Sequence, residues 1–154
     1  VAKGTLYYHF SSKEEIFNFL VEEGMKLLKN SIQIKTAKLD NSIDKIKAII
    51  LIQVKVIKKY ENLITIVLSQ IWGTEERNTN CRRYVMDYIK TVEEIIKEGI
   101  KNQELIEMDS EVLASEIFAS TCTSLIYKMK TNQEIDIKKM YTELETSVIK
   151  GIKR

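Results

Sequence analysis

Apolar residues along this chain recur at three- and four-residue spacing rather than alternating, which is the period of a helix and not of a strand. The clearest case is the segment 43–60. Ile43, Ile46, Ile50 and Ile57 fall on one side of a helix, and Ile49, Ile52 and Val56 on another. A helix that is apolar on more than one face belongs in the middle of a bundle. Ahead of it, Ile16, Phe17, Leu20, Val21, Met25, Leu27 and Leu28 form a broad stripe over 13–30. Residues 31–39 are weakly patterned and fit either a continuation of that helix or a loop. Asp40-Asn41-Ser42 then supplies N-cap candidates for the central helix.

The pattern continues with a helix over 63–72 opened by Asn62 and stopped by Gly73, followed by a polar loop over 74–79. A long segment from Cys81 to Asn102 carries Tyr84, Tyr88, Val92, Ile95 and Ile96, with Gly99 near its end as the place for a tight contact. Asp109 is positioned to cap a helix that runs to Lys130, with Glu111 favourably placed at its positive end. Asp136 caps the last helix, and Ile135 and Met140 make a hydrophobic staple across that cap. Met140, Tyr141, Leu144, Val148 and Ile152 supply its stripe. The expected fold class is all-α, a multi-helix domain.

Composition sharpens this reading. The chain has 154 residues, no proline and only 5 glycines, so little interrupts a helix. At 44% hydrophobic it has enough apolar material for one well-packed core. A net charge of +2 is too small to argue for nucleic-acid binding by itself. Cys81 and Cys122 stand far apart and outside any CxxC pattern, which fits a reduced, cytoplasmic setting. The longest apolar run, Ala48-Ile49-Ile50-Leu51-Ile52, is far short of a membrane span, and no signal peptide is expected.

The first seventeen residues carry the most chemistry. Leu6 and Phe10 stand at i and i+4 on one helix face. Lys3, Tyr7, Tyr8 and His9 are left to face outward, and Gly4 and Thr5 permit close approach. Ammonium and phenolic groups on a short helix suit a DNA backbone and groove; a terminal helix with scattered aromatics is the alternative. Ser12-Lys13-Glu14-Glu15 reads as a capping box in which Ser12 and Glu15 serve each other's backbone N–H groups. The first-turn N–H groups of the helix it opens, with Lys13 beside them, favour a phosphate; a solvated lysine at a helix start is the plainer reading.

Catalytic arrangements are poorly supplied. His9 is the single histidine, no Walker loop, GxGxxG or HExxH occurs, and the adjacent glutamate pairs do not share a helix face. Cys81, Cys122 and His9 have no metal-ligand spacing. Neither an enzyme, a metal site nor a cofactor is expected.

Residues 3–17, with Gly4-Thr5-Leu6-Tyr7-Tyr8-His9-Phe10 and then Ser12-Lys13-Glu14, resemble the recognition helix and following turn of TetR-type transcriptional repressors. A weaker likeness lies at Gly99-Ile100-Lys101-Asn102-Gln103-Glu104-Leu105-Ile106 leading to Asp109, where Gln103 stands at the position of a usual second glycine. The resemblance implies a remnant of a helix-turn-helix domain at 1–12, without the helices that precede it, and a ligand-binding and dimerisation domain at 13–154. Position by position, Lys3, Gly4, Thr5, Tyr7, Tyr8 and His9 become the DNA-facing set and Lys13 a phosphate contact.

It further implies a homodimer whose recognition helices lie about 34–36 Å apart on a palindromic operator, a contact expected of the full-length form only. The last two helices, with small residues dense over 114–124, are the expected dimer contact. A small, largely apolar effector would release the DNA. Its expected lining is Tyr60, Ile64, Leu68, Trp72, Tyr84, Met86, Tyr88, Phe118 and Cys122, with Trp72 the foremost, although each also suits an ordinary core. Glu116, among apolar neighbours, suits a cationic ligand or plain solvent. The competing function is a helical dimerisation or adaptor module that binds no DNA.

Overall fold

Ser12 sets the start of the first helix: its hydroxyl accepts from the Glu15 N–H at 3.1 Å. The Glu15 carboxylate reaches back to the Ser11 N–H at 2.6 Å, one residue earlier than the capping box anticipates. The computed structural model describes residues 10–71 and 78–153. Six helices occur among them: α1 (Lys13–Thr36), α2 (Ser42–Lys59), α3 (Glu61–Ile71), α4 (Asn78–Lys101), α5 (Ser110–Lys130) and α6 (Ile137–Ile152). The expected all-α class holds, with one isolated antiparallel bridge between Leu105 and Lys153. No helix of the described residues is long and apolar enough to cross a membrane.

The expected caps form. Asn41 accepts from the Asp44 N–H, Asp109 from those of Glu111 and Val112, and Asp136 from that of Lys139. Boundaries shift where tertiary burial outweighs local pattern. α1 runs on to Thr36 because Ile32, completely buried, lies one turn beyond Leu28 on the core side. Its stripe is also narrower than the sequence suggests: Leu20 and Leu27 are each 47% exposed. α3 opens at Glu61, directly behind Tyr60, so Asn62 lies inside it and is no cap. α4 starts at Asn78, one turn ahead of Cys81.

α2 is the central helix, packed on α1, α4, α5 and α6. Ile46, Ile49, Ile50, Val54 and Ile57 are buried on it, as is Gln53. Burying side chains of this size contributes roughly 1.5–3 kcal/mol each, which makes α2 a main contributor to the core.

One end of the bundle is tied together around Gly99. A Cβ on Gly99 would stand 2.6 Å from the Ser42 Cβ and 2.8 Å from Leu105 Cδ1, so the close approach of α4 to the start of α2 requires glycine. Next to it the Glu104 carboxylate accepts the Ser42 N–H, a contact that holds Glu104 below the usual carboxylate range. The Ile106 N–H donates to the Ile152 carbonyl at 3.0 Å and fastens the end of α6 to the same knot. Gln103 turns the chain there with φ of 60°, a left-handed conformation.

Candidate functional site

α3, α4 and α5 do not close completely on one another. A cavity of about 940 Å³ lies between them, within the range of small-molecule sites. Its floor is buried and apolar: Ile71 from α3, Val85 from α4, Phe118 and Cys122 from α5. Leu68 and Ile89 form half-buried walls. The rim is exposed. Met86 stands on one side, and Glu111, Val112, Ser115, Glu116, Ala119 and Thr123 of α5 stand on the other.

The sequence of α5 explains the opening. Leu113, Ile117 and Leu125 turn into the core, while Ser115, Ala119 and Thr123, spaced four apart, fall on the flank facing α4. Small side chains there leave the space that leucines would fill. The small residues dense over 114–124 belong to the expected dimer contact; three of them, Ser115, Ala119 and Thr123, also edge the cavity.

Behind the floor stands a polar pair. The Tyr88 ring packs on Phe118 with centroids 5.5 Å apart, and its hydroxyl takes a hydrogen bond from the Gln53 amide. Both residues are buried, and Gln53 Oε1 has no hydrogen-bond partner among the described residues. Burial drives the Tyr88 phenol far above its ordinary value, and it pushes the Cys122 thiol up to about 12. Cys122 is therefore a neutral, unreactive lining group at physiological pH.

Of the residues expected to line a ligand site, Leu68, Met86, Phe118 and Cys122 meet at this cavity. Tyr88 lies just beneath its floor. Tyr60 and Ile64 face a separate groove of about 370 Å³ between α1 and α3, with the exposed Leu20 and Leu27. Tyr84 stands toward α1, where with Lys26 it lowers the Glu22 carboxyl, and lies under Arg83, whose guanidinium carbon is 5.1 Å from its ring centroid. Trp72 lies outside the described residues, as do Lys3, Gly4, Thr5, Tyr7, Tyr8 and His9.

Lys13 is exposed at the start of α1 and borders a smaller cavity of about 330 Å³ with Phe17, Ile66 and Asn78. Phe10, just ahead of α1, packs its ring on Phe19 at 5.3 Å. No group of three or more His, Cys, Asp or Glu side chains among the described residues could hold a metal ion. Sequence reasoning did not select Ile71, Val85, Ile89, Glu111, Val112, Ser115, Ala119 or Thr123. The four-residue recurrence of Ser, Ala and Thr in α5 was the available signal.

Comparison with known proteins bears on this arrangement. The pattern described as "Bacterial regulatory proteins, tetR family" matches residues 1–20. A Clostridium perfringens protein designated a fatty acid metabolism regulator is 32% identical over 98% of this chain and 82% of its own, with a TM-score of 0.89. FadR from Bacillus subtilis, solved in complex with stearoyl-CoA, shares the fold at 20% identity and a TM-score of 0.83, over 98% of this chain and 82% of its own. AibR, solved with isovaleryl coenzyme A and operator DNA, shares it at 15% identity and 0.75, over 94% and 79%. No curated protein matches the chain. A bundle of this topology, an opening string that fits the family pattern, and a 32% identical relative over nearly the whole chain lead to one conclusion: the chain belongs to the tetR family of bacterial regulatory proteins and is a ligand-responsive transcriptional regulator.

Proposed function

We propose that this regulator is a repressor released from its operator when the apolar chain of an acyl thioester enters the cavity between α3, α4 and α5. The observation that carries this reading is the cavity itself: about 940 Å³, with a floor of Ile71, Val85, Phe118 and Cys122 and, among the described residues, no charge in its depth. Apolar burial is what such a floor rewards, at about 25 cal/mol per Å². The relatives support the class of ligand. The 32% identical protein bears a name from fatty acid metabolism, and two structures of the same fold hold stearoyl-CoA and isovaleryl coenzyme A. The operator contact falls to residues 1–12, with Lys3, Tyr7, Tyr8 and His9 toward the DNA and Lys13 on a phosphate. Residues 13–154 bind the effector and dimerise through α5 and α6.

Release requires that the ligand bind the DNA-free state more tightly than the DNA-bound one. The test is fluorescence anisotropy of labelled promoter DNA with the full gene product, titrated with palmitoyl-CoA. The expected result is dissociation of the DNA by the thioester and loss of that response in Ala119→Trp, which fills the cavity from its rim. DNA binding indifferent to acyl thioesters of every chain length would overturn the proposal. Failure of the full gene product to bind promoter DNA at all would favour the adaptor reading.

A further inference from the structure

The buried threonines of this bundle are satisfied locally. Thr36, Thr91 and Thr121 each return the hydroxyl to a carbonyl one turn back on their own helix. Gln53 of α2 and Tyr88 of α4 are different. The bond between them uses one amide N–H and the phenol oxygen. Among the described residues Gln53 Oε1 is left without a partner, and the Tyr88 O–H is left without an acceptor. Unmade bonds of this kind in a dry core cost roughly 1–3 kcal/mol each. Met and Phe would fill nearly the same space without them.

The pair stands against the cavity. Phe118 and Cys122 belong to the cavity floor, and the Phe118 ring lies 5.5 Å from that of Tyr88. After burial and the Gln53 bond, the Cys122 thiol is the neighbour that bears on the Tyr88 phenol. About one layer of side chains therefore separates open hydrogen-bonding capacity from the apolar floor. We infer that Gln53 and Tyr88 form a hydroxyl-reading subsite behind the cavity floor, and that the effector carries a hydroxyl on the far part of its apolar chain.

The inference rests on the cavity being the effector site. The two open atoms select the group. A hydroxyl accepts from the Tyr88 O–H and donates to Gln53 Oε1, so it completes both. A keto oxygen accepts from Tyr88 and leaves Oε1 open. A carboxylate has no proton for Oε1 and meets no countercharge in the pair. An unsubstituted chain completes neither atom. Contact requires the Phe118 ring to swing into the cavity that it now floors. An apolar floor alone would penalise a hydroxyl for its lost water, so the two situations predict preferences of opposite sign.

The test uses acyl-CoA thioesters from octanoyl to hexadecanoyl, each with a plain chain and with a hydroxyl on the ω carbon. Binding to the 154-residue chain is measured calorimetrically. At one chain length the ω-hydroxy thioester is expected to bind about tenfold more tightly than its plain counterpart, the worth of one good hydrogen bond. Tyr88→Phe and Gln53→Met should each erase that preference and leave the plain thioester bound as before. The comparison on the unaltered chain decides the matter should a variant fail to fold.

Equal binding, or a plain chain preferred at every length, overturns the inference: the pair is then completed by a buried water or only ties α2 to α4. A preference that survives in both variants also overturns it, because another group reads the hydroxyl. In either case, loss of plain-thioester binding in Ala119→Trp leaves the cavity reading intact. If no thioester binds, or if binding is undisturbed in Ala119→Trp, the cavity reading falls together with this one.

Discussion

At the scale of single residues the structure places its most demanding requirement at Gly99. Alanine there would bring a Cβ within 2.6 Å of the Ser42 Cβ, an atom with no freedom to swing away. Overpacking of this kind costs about 1–3 kcal/mol; urea denaturation of Gly99→Ala should show that loss. Four residues on, Gln103 holds a φ of 60° that costs an L residue roughly 1–2 kcal/mol. Gln103→Gly removes the strain but loosens the unfolded chain, so a net gain of about 0.5 kcal/mol is expected, read in the same experiment. The buried acids behave differently. Tyr88 and Cys122 have folded-state values raised by burial, Cys122 from 9.0 to about 12. A raised value means the folded chain keeps its proton longer than the unfolded one. The stability from these groups is therefore complete below pH 9 and is lost as pH climbs from 9 toward 12. The thermal midpoint should fall across that window, and less steeply in Cys122→Ala; a midpoint flat to pH 11 would contradict it.

At the scale of elements, most of the helices were legible because their apolar stripes and their caps agree. Asp109 shows both signals: it stands ahead of the periodic run and its carboxylate takes two N–H groups of α5. Asp109→Ala should cost about 1 kcal/mol of stability, and a loss below the error of thermal melting would mean the cap is redundant. What was not legible depends on neighbours distant in sequence. The end of α1 at Thr36 is set by the core that receives Ile32, not by any local stop. The cavity is the same kind of case. Ser115, Ala119 and Thr123 announce a thin flank on α5, but whether a backbone or a void faces it is decided by Met86 and Ile89 of α4. Likewise the sequence shows that α3 is apolar on two adjacent sides without saying which partner each side meets. Ile64 and Val67 turn to α1, while Leu68 and Ile71 turn to the cavity.

At the scale of the whole molecule, α5 and α6 leave apolar side chains uncovered. Tyr127 is 64% exposed, and the α6 residues Tyr141, Leu144, Val148 and Ile149 are only partly buried. A face of this kind suits a four-helix contact between two copies. Light scattering at micromolar concentration should therefore report twice the 17.9 kDa mass of the chain, and a monomer there would remove α5 and α6 as the dimer contact. The competing groove, between α1 and α3, carries Leu20 and Leu27. Substituting Tyr127→Glu should dissociate the dimer if α5 is the contact, whereas Leu27→Glu should leave it whole.

The knot at Gly99 has a mechanical meaning. α1 and α4 run side by side, with Lys13 near Asn78 at one end and Thr36 near Glu94 and Glu98 at the other, the end where the knot is tied. At 1.5 Å per residue the 24 residues of α1 make a rod of about 36 Å. If the tied end acts as a fulcrum, each degree of tilt in α1 carries Lys13 sideways by about 0.6 Å, the arc of a rod of that length. A wedge driven between α4 and α5 would then be felt most at the end farthest from the fulcrum, the end to which the proposed operator contact is joined.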